Sequence, residues 1–149
     1  MKLPLFLLFI LSLAVFGCNS APPPGPRPFV GILNAKKIGN GPADTSKYEV
    51  VVHYENVVPE KFEVKVGFGY YPSDENVKSL TTTAAGIYAI AHSEVLHSTN
   101  GDLHLTIEPT VVRDLKGKLD GKIHVTLSPY PHGKEWLISG HDIYPLPPE

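Results

Sequence analysis

The sequence predicts an all-β protein made of two antiparallel sheets packed face to face. Three observations lead there. Apolar residues recur with a period of two in several short runs, the spacing that sends alternate side chains to opposite faces of a strand. Asn-Gly, Asp-Gly and Pro-containing stretches separate those runs and supply the backbone geometry of tight turns. Beyond residue 17 no sustained apolar repeat has helical spacing.

Residues 1–17, MKLPLFLLFILSLAVFG, hold one basic residue, Lys2, and then an almost purely apolar run from Leu3 to Phe16. That is the length of an export signal's core and falls short of the roughly 20 residues a spanning helix needs. This segment is therefore read as a signal peptide and set apart from the fold. Cys18 is the sole cysteine, so no internal disulfide can form. With it, residues 18–28 form an anchor cysteine and a spacer. Prolines at 22, 23, 24, 26 and 28 bias the spacer towards an extended chain of about 3.1 Å per residue. The VFGC stretch at 15–18 resembles the end of a bacterial lipoprotein signal, with Gly17 before the cysteine and Phe16 as its one departure. The resemblance implies that Cys18 becomes the mature N-terminus, carries lipid and attaches the protein to a membrane. Several acyl chains anchor stably where one is marginal. The alternative is a secretory signal cleaved beyond the cysteine, for example after Ser20, which yields a soluble secreted protein.

Residues 29–149 are enough for one hydrophobic core, and with Pro147-Pro148-Glu149 directly after the last strand a single module is expected. The first strand is expected at Phe29–Ile38. KYEVVVHYE follows, with Tyr48, Val50, Val52 and Tyr54 on one face and Glu49, Val51, His53 and Glu55 on the other. In FEVKVGFGY, Phe62, Val64, Val66, Phe68 and Tyr70 share the apolar face, and Glu63, Lys65, Gly67 and Gly69 lie opposite. A strand at Tyr88–His97 precedes DLHLTIE, whose Leu103, Leu105 and Ile107 point inward. KIHVTLS sets Ile123, Val125 and Leu127 against Lys122, His124 and Thr126. The last strand is expected over Trp136–Tyr144. Turns are expected at 40–44, 58–61, 71–76, 100–102 and, in LDGK, 119–122; Ser79–Ala85 reads as loop.

The order YEVVVHYENV, KFEVKVGFGYYP, GDLHLTIEP, LDGKIHVTLSPY and EWLISGHDIYPL resembles an immunoglobulin-like or fibronectin-III-like sandwich. That resemblance implies seven antiparallel strands over roughly residues 28–146. The inter-sheet cysteine pair of antibody domains is missing. Ile123 stands near where their tyrosine would be, and Trp136 falls in the last strand rather than in the core position. The likeness is therefore to the wider sandwich class, not to antibody domains.

The net charge is −2, from 13 Lys and Arg against 15 Asp and Glu. Basic pairs such as Lys36-Lys37 are isolated, which argues against nucleic acid as a partner. Of seven histidines, none falls in a compact metal motif. His53 and His104 lie on outward faces and could approach each other beside Glu49, Glu55 and Glu108 as a zinc or copper site. The favoured reading is a solvated sheet face, with no metal and no cofactor. Ser139, His141 and Asp142 are too close along one strand to adopt triad geometry. Hydrolase, phosphate-loop and dinucleotide signatures are missing, so no catalysis is expected. Tyr71, Tyr130 and Trp136 are the candidate binding residues, since aromatics grouped beyond strand ends stack on sugars or anchor a protein partner. Against that, Tyr70 and Trp136 could be core residues. The resulting expectation is an exported, lipid-anchored sandwich with a structural or binding role at the cell envelope. A secreted carbohydrate- or metal-binding module is the alternative, followed by an enzyme of unrecognised type.

Overall fold

The computed structural model describes residues 25–73, 87–132 and 138–148. Cys18, Trp136 and the loop expected at Ser79–Ala85 lie outside them. The described elements run β1 (Phe29–Ile38), β2 (Lys47–Glu55), β3 (Phe62–Tyr71), β4 (Tyr88–Val95), β5 (Gly101–Ile107), a one-turn helix α1 (Thr110–Asp114), β6 (Lys118–Pro129) and β7 (Gly140–Pro145). They form two antiparallel sheets, one ordered β1-β2-β5 and the other β4-β3-β6-β7.

The period of two carries directly into packing. Tyr48, Val50, Val52 and Tyr54 of β2 are buried, as are Val64, Val66, Phe68 and Tyr70 of β3 and Ile123, Val125 and Leu127 of β6. The two sheets meet where the rings of Tyr48 and Phe68 contact edge to face, with centroids 5.5 Å apart. Tyr48 and Tyr54 reach polar partners at the rim, so these two hydroxyls do not go unbonded in the core. Tyr48 Oη donates to the Ala43 carbonyl at 3.0 Å, and Tyr54 Oη shares a 2.6 Å hydrogen bond with Ser98. On one side the sheets are stitched together: Asp142 of β7 accepts the Ile32 N–H of β1 at 2.9 Å. This occurs beside the β1 bulge at Leu33, whose side chain is exposed.

One expected turn is corrected. LDGK at 119–122 is not a turn but lies inside β6. Phe68 pairs with Ile123 and Tyr70 with Leu119, so Asp120, Gly121 and Lys122 bulge opposite Gly69. Gly121 does adopt the expected left-handed backbone, at φ 82°, but uses it for a bulge. The chain instead reverses through α1 and Lys116-Gly117, a helical turn too short to leave a periodic signal. The outward face of β3 and β6 is closed to water: Lys65, His124, Thr126 and Ser128 are all buried.

Candidate functional site: a buried polar cluster on the four-stranded sheet

On the outer face of β3, Glu63 pairs across the sheet with Ser128, Lys65 with Thr126, and Gly67 with His124. From the other side Ser93 of β4 stands opposite Lys65. Glu63 and Lys65 expose only 12% and 10% of their side chains, which removes most of the water that would screen them. Glu63 Oε1 accepts from the Ser93 hydroxyl, and Glu63 Oε2 lies 3.4 Å from Lys65 Nζ and 2.6 Å from His132 Nε2. Glu63 Oε2 has no aligned hydrogen-bond partner, so the attraction of the Lys65 ammonium for it is coulombic. The aligned partner of His132 Nε2 is Lys65 Nζ, at 3.1 Å. His132 follows β6, so the cluster ties the segment beyond that strand to β3 and β4.

Burial alone would raise the Glu63 carboxyl. The Ser93 hydroxyl, the Lys65 ammonium and His132 outweigh it and hold the group below the ordinary carboxylate range. Beside the cluster, Tyr88 of β4 crosses β3 to reach β6. Its ring stacks on His124 with centroids 5.3 Å apart, and its hydroxyl hydrogen-bonds Thr126 Oγ1 at 2.7 Å. Burial pushes the Tyr88 phenol up, and the Glu63 charge adds to that push.

Two glycines make the face possible. A Cβ on Gly67 would lie 2.0 Å from the Ala89 carbonyl oxygen, and one on Gly69 would meet the Asp120 carboxylate at 2.4 Å. At Gly67 the obstruction is backbone and cannot give way, whereas at Gly69 the Asp120 side chain would have to shift. The sequence signal for this site was present but silent: two glycines alternate with Glu63 and Lys65 on one face, and only the pairing partners reveal what fills the space.

Chemically, the arrangement places the carboxylate between hydroxyl and imidazole. Acyl-transfer triads need the imidazole in the middle, where it takes the hydroxyl proton. The cluster has the carboxylate, not the imidazole, at its centre. Asp142, which stood near Ser139 and His141 on paper, accepts backbone N–H groups from Ile32 and Ile143.

The residues singled out from sequence are scattered. Tyr71 ends β3 and is 66% exposed, opposite Lys118. Tyr130 follows Pro129, which pairs with Phe62 at the other end of β3, and its ring contacts His132 edge to face. Nine residues of strand separate the two ends, about 30 Å at the rise of an extended chain. Tyr71 and Tyr130 therefore do not form one aromatic platform. Tyr70 is core.

His53 and His104 share a face of the three-stranded sheet, but His53 stands opposite Asp102 and His104 opposite Val51. Both His53 nitrogens are engaged, Nε2 with Glu55 at 2.9 Å and Nδ1 with Asp102 at 2.6 Å. Those hydrogen bonds, Glu55 first and Asp102 second, raise its pKa above the ordinary value. Glu108 pairs with Lys47 instead. Among the described residues no group of three His, Cys, Asp or Glu has metal-binding geometry, and no helix is long and apolar enough to cross a membrane. Comparison of the chain with family models, curated proteins and solved structures returned no match.

Proposed function

We propose that the protein is exported, anchored to a membrane through lipid on Cys18, and displays one sandwich of immunoglobulin or fibronectin-III type for a binding or structural role at a cell envelope. The observation that carries this reading is the order of parts along the chain. An apolar run meets the only cysteine, a proline-rich spacer follows, and β1 opens at Phe29 directly behind it. With no other cysteine in the chain, the sulfur has no disulfide partner within it. Strand order β1-β2-β5 against β4-β3-β6-β7 supports the fibronectin-III-like reading.

The entry of the spacer gives the domain an orientation. Asn56, just beyond β2, donates from Nδ2 to the Arg27 carbonyl at 3.4 Å. The tethered end thus carries the β2–β3 and β4–β5 turns. Residues 19–28 span roughly 30 Å if extended, which holds that end near the membrane and turns the β1–β2 and β5–β6 connections outward. Mass spectrometry of the mature N-terminus tests the anchor. A di- or triacylated Cys18 is expected, and an unmodified start at Asn19 or later overturns it.

A further inference from the structure

At the outward end, α1 and the start of β6 enclose a cleft of about 380 Å³ against the β1–β2 turn. Its apolar wall is Pro109, Val112 and Leu119, with Val112 buried. Arg113, Lys116 and Lys118 also line it, against one acid, Asp44. That is a net charge of +2 around one cleft in a chain whose own net charge is −2. The concentration is not a consequence of composition.

The backbone positions these cations deliberately. α1 closes with Gly117 N–H donating to the Val112 carbonyl and Lys116 N–H to the Arg113 carbonyl, both at 2.9 Å. This closure puts Lys116 in the left-handed region at φ 53°, where helices usually end on glycine. A lysine there is strained by its Cβ, yet it places a third cation beside Arg113 and Lys118. The next position is glycine, where a Cβ would meet the Tyr70 ring at 2.5 Å.

We propose that this cleft binds an anionic small molecule, a phosphate or carboxylate group joined to a short apolar portion. The cations meet the anion by charge-assisted hydrogen bonds, while the apolar wall takes the rest of the ligand in a volume suited to a small compound. This deepens the binding reading by naming a ligand class. It rests on the anchor only for the cleft's orientation, so the two can fail separately.

The test is calorimetric titration of the full chain, purified in neutral detergent, with n-butyl phosphate, n-butyrate, inorganic phosphate and n-butanol. Butyl phosphate or butyrate is expected to bind at one site per chain, more tightly than inorganic phosphate, and more weakly as salt rises. Butanol is expected to give no heat of binding. Arg113→Gln and Lys118→Gln should each weaken binding roughly tenfold, the loss of about one charge-assisted hydrogen bond. Lys61→Gln, at the tethered end, should leave it unchanged. A melting curve for each variant confirms that it folds. No binding by either organic anion, equal binding of butanol, or unchanged affinity in the folded Arg113→Gln and Lys118→Gln variants overturns the proposal.

Discussion

The buried Glu63–Lys65 pair makes the sharpest stability prediction. At 3.4 Å, two unit charges attract by about 5 kcal/mol at an effective dielectric constant near 20. Desolvating both groups offsets most of that, so the net coupling is expected at about 1–3 kcal/mol. Removing one partner is a different matter, because the charge left behind keeps its desolvation cost and loses this attraction on a face nearly closed to water. Lys65→Met and Glu63→Leu are each expected to cost about 3 kcal/mol, the low end for a broken buried pair, since about a tenth of each side chain still meets solvent. The double substitution should cost clearly less than the sum. Urea denaturation of wild type, both single variants and the double variant gives the cycle directly. A pH series adds a signature. The folded pKa of Glu63 is depressed, so its contribution is present above the unfolded value of 4.5 and fades as pH falls through the folded pKa. Glu63→Gln should lose that acid-side slope. Single losses under about 0.5 kcal/mol that simply add would refute the reasoning and return this surface to the solvated face its alternation suggests.

Other perturbations test other links. His53 has a raised folded pKa, so its contribution is present below pH 6.5 and is lost as pH rises through the folded value; His53→Asn should flatten that change. Because the pair is largely solvated, the effect should be a few tenths of a kcal/mol in denaturation curves taken at pH 5.5 and pH 8.5. Gly67→Ala should abolish stable folding or cost more than about 3 kcal/mol, since the obstructing atom is a backbone carbonyl; Gly140→Ala, whose nearest contact would be 3.5 Å, should be far milder in the same melts. Asp142→Ala should cost about 1–3 kcal/mol by leaving the Ile32 N–H unpaired, with hydrogen exchange at that amide accelerating most. Lys116→Gly should raise stability by roughly 1 kcal/mol as the left-handed strain is relieved, while weakening anion binding at the cleft.

By itself the sequence determined which residues face the core. Tyr48, Val50, Val52 and Tyr54 alternate with polar neighbours, and burying them together needs only the pleat of a strand. The same reasoning located β3, β5 and the KIHVTLS part of β6 and implied two antiparallel sheets. It placed Gly121 at a positive φ without telling a turn from a bulge, because that choice depends on what β3 offers opposite.

Neighbours were decided only in three dimensions. Alternation sends Glu63, Lys65, His124 and Thr126 to the outer face, and an outer face is ordinarily wet. Here Tyr88 of β4 and His132 beyond β6 lie across it. Cross-strand register sets Glu63 opposite Ser128 and Lys65 opposite Thr126, Glu63 also meets His132, 69 positions away, and no local pattern encodes that. The same register separates Tyr71 from Tyr130 by a strand's length and hands His53 to Asp102 rather than to His104. A period of two specifies the side of a sheet on which a residue stands; burial, charge and chemistry depend on what the other strands place above it.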